Sequence, residues 1–185
     1  MNFKHYLYLA LLALLSWWLV KLTGLDSITR SNAPLHSADY FSTGYSKWEM
    51  DDRGQLKSQL LADQMIHYSD DQTTHMIKPL MYSYNEKNPP WVIKSETGIL
   101  SADGNNLLLN GKVIIDRAKG PGTKPLTINT SNLKVKLATR YAETKEWAEL
   151  ISPPNRTTGT GMKMVYTQPI RLDLLAHVKG KYETK

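Results

Sequence analysis

The sequence predicts one apolar N-terminal helix followed by a single all-β domain of antiparallel strands. Three observations predict it. Residues 6–20 (YLYLALLALLSWWLV) run without a single charge. From about residue 40 onward, apolar and polar residues alternate in short runs, the period of half-buried strands. Turn signals such as Asp51-Asp52-Arg53-Gly54 and Asp103-Gly104-Asn105-Asn106 separate these runs, with no helical period between them. Such a pattern specifies an antiparallel sandwich, a jelly roll or an open barrel.

The N-terminal run reads as an uncleaved membrane anchor. A span needs roughly 20 apolar residues. The Lys21 ammonium can snorkel to the interface, which lets Leu22, Thr23, Gly24 and Leu25 join. Leu7, Leu11 and Leu14 supply the apolar surface. Tyr6 and Tyr8 mark one interface, Trp17 and Trp18 the other. No small-x-small cleavage site follows the run. The boundaries are 1–25 for the anchor, 26–40 for a polar linker and 41–185 for the β domain. A short N-terminus before a large domain places that domain across the membrane.

In the domain, Thr43–Met50 forms the first strand. Leu56, Ser58, Leu60 and Ala62 share one face of the second. Met76, Leu80, Tyr82 and Tyr84 continue a face that Pro79 marks as an edge or a bulge. Trp91, Ile93, Ser95, Thr97 and Ile99 form the next face, and Leu107, Leu109, Gly111, Val113 and Ile115 the one after. The alternation changes parity between Leu126/Ile128 and Leu133/Val135/Leu137, which predicts a bulge near Ser131-Asn132. Tyr141–Leu150 reads as strand-turn-strand, residues 153–161 as a loop, and Met162, Met164 and Tyr166 as a short face. The last strand places Leu172, Leu174, Ala176, Val178 and Tyr182 on one side. Arg171, Asp173, His177, Lys179 and Lys181 fall on the other.

Composition narrows the function. The chain has no cysteine, which excludes a disulfide framework, thiolate ligands and a cysteine nucleophile. Its net charge is +6; from residue 31 onward 20 basic residues face 16 acidic ones, a modest excess that suits anionic lipid. No basic run interleaves with aromatics, which argues against nucleic acid. The five histidines are scattered and form no metal motif. Asp51-Asp52 and Asp70-Asp71 lie in turns, where Asp side chains accept backbone amides. The glycines of Lys119-Gly120-Pro121-Gly122-Thr123-Lys124 have the wrong spacing for a phosphate loop, and Pro121 and Pro125 remove amide donors. No enzyme, cofactor or metal is expected. Three function classes are left: a lipid-binding conduit, a membrane-tethered adaptor that binds only protein and, least favoured, a cell-envelope hydrolase.

Taken in order, Tyr68-Ser69-Asp70, Pro79, Pro90-Trp91 and Leu109-Asn110-Gly111-Lys112-Val113 bring a family into view. The chain resembles the LptC family, single-span bridge proteins of bacterial lipopolysaccharide export, over almost its whole length. The resemblance implies a twisted, open β-jellyroll of antiparallel strands in the periplasm of a Gram-negative bacterium. Its inner face would hold the acyl chains of lipopolysaccharide. It also implies contact of the inner-membrane anchor with the transporter subunits LptF and LptG, served by the ATPase LptB, and pairing of the C-terminal edge with periplasmic LptA. Carried over by position, Tyr45 and Met76 match lipid-lining positions near the receiving end, although Met76 stands where an aromatic often stands. Pro153-Pro154 departs from the family's loop. The residues expected to meet lipid are Tyr45, Leu56, Leu60, Met76, Leu80, Leu109, Ile128, Met164, Leu172, Leu174 and Ala176. Those expected at the docking edge are Arg171, Asp173, Leu174, Val178 and Tyr182.

Overall fold

A computed structural model describes residues 3–22, 37–85, 88–167 and 169–182. The chain divides into two compact units, Met1–Leu35 and His36–Lys185. The first holds helix α1, Phe3–Leu22. Leu and Ala, strong helix formers, dominate it, and its apolar residues face every side rather than one stripe. Among the described residues no helix is long and apolar enough to cross a membrane. Residues 23–25 of the expected anchor and most of the expected linker lie outside the described residues.

Among its described residues the second unit is one antiparallel sheet of ten strands. They are β1 (Ala38–Met50), β2 (Leu56–Tyr68), β3 (Thr74–Ile77), β4 (Leu80–Ser83), β5 (Trp91–Leu100), β6 (Asn106–Arg117), β7 (Leu126–Lys136), β8 (Tyr141–Ser152), β9 (Asn155–Val165) and β10 (Arg171–Lys181). Each long strand pairs with its sequence neighbours, and the short β3 and β4 lie end to end between β2 and β5. The strand order is linear, so among the described residues β1 and β10 each have one backbone neighbour. The sheet is therefore an open all-β jellyroll, not a closed barrel. Side chains of the turns satisfy the backbone where the strands reverse. Asp51 Oδ1 accepts from the Arg53 and Gln55 amides at 2.9 and 2.8 Å, and Asp71 Oδ1 from Thr73 at 2.9 Å.

A line of irregularities crosses the sheet and bends it into two walls. It runs through Gly44, Lys78-Pro79, Glu96, Gly111, Asn132, Lys145-Glu146, Gly161 and His177. Positive φ values mark Gly44, Lys78, Gly111, Asn132, Gly161 and His177. The register shifts between Ser95 and Thr97, Leu109 and Lys112, Asn129 and Lys134, and Thr144 and Trp147. These bulges raise local twist and free backbone groups. Two buried threonines take up that debt: Thr130 Oγ1 donates to the Trp147 carbonyl at 2.9 Å, and Thr144 Oγ1 to Ser131 at 2.8 Å. The Asn132 side chain accepts the Gly111 amide at 3.2 Å. Gly111 has φ +76°, and a Cβ there would run into the Glu96 carboxylate.

The core lies between the walls. On one side of the crease it contains Leu107, Leu133, Val135, Ala142, Met162 and Met164; on the other Trp91, Ile93, Val113, Ile115, Ile128 and Ala148. The rims of the walls meet where Arg140 Nη1 donates to the Tyr84 carbonyl at 3.2 Å, a contact between residues 56 apart in sequence.

Three sequence expectations are corrected. Tyr141–Ser152 is one strand with a bulge and no turn. The expected loop at 153–161 shrinks to Pro153-Pro154, and β9 starts at Asn155. The first strand begins at Ala38 rather than Thr43, inside the expected linker. The bulge expected near Ser131-Asn132 is present.

Candidate functional site

The inner face of the jellyroll is the candidate site. Alternation on each strand aims one set of side chains between the walls, and these are mostly aliphatic, thioether or aromatic, with Ser83, Thr130 and Thr144 buried among them. Leu60, Met76, Leu109, Ile128 and Met164 all belong to the core, from 5% exposed at Leu60 to fully buried at Ile128. Tyr45, Leu172 and Leu174 are partly buried and pack against it. The apolar face thus runs from β1 to β10, closed in the middle strands and partly open at both ends. Three methionines deepen it beyond the expected set: Met65 on β2, Met81 on β4, and Met162 beside the expected Met164 on β9. Methionine adapts its shape at low cost.

The structure does not bring every expected residue to this face. Leu80 is half-buried with the opposite parity, and Met81 takes the inward position. The cause is the break at Lys78, φ +49°, and Pro79, which resets the alternation between β3 and β4. Leu56 is half-buried at the start of β2, opposite Met50. The bulge at Glu96 likewise turns Ile99 away and makes Leu100 the buried residue. Ala176 is exposed and lies opposite Thr160, at the point where β10 breaks register. The missed residues share one signal: wherever a bulge intervenes, counting by twos across it fails.

The residues expected at a docking edge lie on or just past the outer strand β10. Leu172 and Leu174 lie opposite Met164 and Met162 and tie the strand to the core, whereas Arg171, Asp173, Val178 and Tyr182 are exposed. His177, φ +51°, and the register shift between Ala176 and Lys179 divide the strand. Its single expected face therefore becomes two segments, one packed and one standing free of the core. Gly159 makes room for the packed one, since a Cβ there would meet Leu174 at 3.1 Å.

Electrostatics on the inner face are quiet. Burial, with Tyr40 nearby, pushes the Tyr45 phenol up, and burial pushes the Tyr166 phenol up as well, so both stay neutral hydroxyls. No group of His, Asp and Glu side chains among the described residues could hold a metal ion. On α1, Leu11, Leu14, Trp17 and Trp18 are exposed.

An apolar face flanked by two open edges can bind a long apolar ligand and other strands; nothing in it resembles a reaction centre. No curated protein matches the chain. The family model for lipopolysaccharide assembly, LptC-related, matches residues 5–183. The chain belongs to this LptC-related family, a non-enzymatic bridge component of lipopolysaccharide transport.

Proposed function

We propose that the protein is an inner-membrane-anchored bridge. It receives lipopolysaccharide from the LptB, LptF and LptG transporter and passes it to LptA in the periplasm. The observation that carries this reading is the apolar inner face, continuous from Tyr45 on β1 to Leu172 and Leu174 on β10, in a sheet with two open edges. A trough that holds acyl chains must offer no polar groups that need partners, and this one offers few. Its middle is packed shut, so chains enter as the walls part. They exchange side-chain contacts for lipid contacts of the same chemistry, which keeps the exchange inexpensive. The partly open ends at Tyr45 and Leu172 are where a chain would pass from one protein to the next. An open strand pairs readily with another chain, which supports β10 as the LptA edge and β1 as the edge toward the transporter.

The anchor reading rests on α1 and on residues 23–25. The helix is about 30 Å long at 1.5 Å per residue, near the thickness of the hydrocarbon core. By its described residues alone it falls short of a span; the anchor expected from the sequence also counts Thr23, Gly24 and Leu25, which lie outside the described residues. A helix apolar on all sides is stable only in lipid or among other helices.

The test places a photo-reactive side chain at Tyr45, Met76, Ile128 or Leu172 in the assembled, ATP-driven transporter. Crosslinks to lipopolysaccharide at all four positions are expected. Crosslinks to LptA without any to lipid would replace the conduit with a protein-only adaptor.

A further inference from the structure

The turn between β6 and β7, residues 118–125, is basic, glycine-rich and unexplained by the apolar face. It is a tight hairpin. Gly120 and Thr123 exchange backbone hydrogen bonds of 3.3 and 3.1 Å around Pro121-Gly122. Those amides are used, so any recognition must come from side chains.

Arg117, the last residue of β6, stands at the rim of one wall. It lies opposite Trp91, which is fully buried, and Leu126, which packs on the core, so its side chain starts on the inner face. The guanidinium lies 4.6 Å over the Trp91 ring. Nη2 donates to the Lys124 carbonyl at 3.3 Å. Arg117 Nε and Nη1, Trp91 Nε1 and Thr123 Oγ1 are all buried, and none has a hydrogen-bond partner among the described residues. Orphaned donors are rare because each loses its water without replacement. A guanidinium cannot escape that loss by giving up its proton. A forked pair of N–H groups beside an indole N–H and a hydroxyl fits an anion with several oxygens, which accepts charge-assisted bonds in parallel. The field agrees. Lys119 and Lys124 are exposed on the same turn, and no acidic residue lies between Arg117 and Pro125. The neighbouring Asp116 is engaged by the Thr127 hydroxyl at 2.8 Å and by Lys94 at 3.8 Å.

We propose that Arg117, Trp91 Nε1 and Thr123 Oγ1 form an anion site at the trough rim that takes a phosphate of the lipopolysaccharide while its acyl chains lie between the walls. The site rests on the conduit reading above. Apolar chains inside and a phosphate at the rim match the polarity of one amphiphile. The turn that carries Thr123 and Lys124 covers the donors, so binding lifts it.

The test measures binding to the full-length protein in detergent with three probes: bisphosphorylated lipid A, the same lipid enzymatically stripped of phosphate, and inorganic phosphate. The wild type should prefer the phosphorylated lipid by about tenfold or more, the scale of one charge-assisted bond. Arg117→Gln should erase that preference and leave the affinity for stripped lipid unchanged. Arg117→Lys should restore part of it. Thr123→Val, which stays near the wild-type shape, should reduce it at an unchanged melting temperature, and it serves if Arg117→Gln fails to fold. Equal wild-type affinity for both lipids would overturn the anion site and leave the conduit standing. Equal weakening of both lipids by Arg117→Gln would show a packing role and overturn it too. Inorganic phosphate competing at the concentration of the lipid would move the site from lipid to free phosphate, again against the proposal. No binding of either lipid would overturn the conduit and the rim site together.

Discussion

The middle strands and the edge strands use similar side chains in different ways. On β6, Leu107, Leu109, Val113 and Ile115 are at most 1% exposed, and β7 and β8 are closed by the same facing wall. On β1 and β10 not one side chain is fully buried. Phe41 and Trp48 stand out from β1, Leu175, Val178 and Tyr182 from the C-terminal edge. Apolar surface left open along an unpaired strand is an aggregation hazard unless another chain covers it. The difference assigns stability to the middle of the sheet and, on the function proposed above, assembly to its ends. That division can be broken or sharpened by substitution.

The largest loss of stability is expected in the middle. Ile128 is fully buried on β7, and Ile128→Ala should cost about 2–5 kcal/mol through lost transfer energy and the cavity left behind. Thermal unfolding of the full chain should shift down by roughly 10 °C. An unchanged melting temperature would mean that the walls close over the gap, and that the middle is already loose enough for lipid.

The crease comes next. Gly111→Ala puts a Cβ at φ +76° and into the Glu96 carboxylate, a strain of about 1–3 kcal/mol. Glu96→Ala in the same chain should remove the steric part and leave the backbone part. A double variant as unstable as the single one would assign the whole cost to φ. If the crease also acts as the hinge between the walls, lipid crosslinking at Ile128 should fall in Gly111→Ala more than in Ile128-neighbour variants of equal stability.

How far the sequence showed this fold can be read from the same places. Alternation made Leu109, Ile128, Met164, Leu172 and Leu174 legible, because an apolar residue at every second position has one buried face to occupy. Asp in the turns was legible for a similar reason, since its carboxylate has a local amide to accept. Leu80, Ile99 and Ala176 misled because a bulge consumes one residue and inverts the faces beyond it. Two irregularities announced themselves: Pro79, because proline cannot donate to the ladder, and the parity change at Asn132, because both flanking runs were long enough to count. The rim at Arg117 was invisible in sequence. An arginine among lysines in a turn looks solvated until the fold sets it over Trp91 and strips its donors of water. The β10 edge was partly legible: its strand character showed, its division at His177 did not.

A smaller effect is expected at the closed rim. A hydrogen bond from the Lys57 ammonium, foremost, holds the Glu49 carboxyl below its ordinary range, with Ser58 also donating and partial burial opposing. The folded form thus prefers the carboxylate more than the unfolded chain does. The stability this confers is complete above the unfolded value near 4.5 and is lost as pH falls through the lowered folded value. Both side chains are partly exposed, so the gain is a modest one. Melting temperatures measured from pH 6 down to pH 3 should fall slightly less for Glu49→Gln than for the wild type. A steeper fall in the variant would reverse the sign.

The smallest change in stability, and the sharpest in assembly, is expected at the free segment of β10. Val178 and Tyr182 are 55% and 69% exposed, and they lie beyond the bulge that separates them from Leu172 and Leu174. Replacing both with Asp removes no core contact, so unfolding should move by no more than about 0.5 kcal/mol. The same change places two carboxylates along the open edge, where an incoming strand would have to desolvate them. Capture of LptA should be lost while the chain still joins its transporter. Truncation after Gln168 is the blunter version, since it also strips Leu172 and Leu174 from the core and should lower stability as well. If the double Asp variant captures LptA at full strength, the segment past the bulge is not the docking edge. Recognition would then lie in the packed half of β10, beside the methionines, or across the sheet at β1.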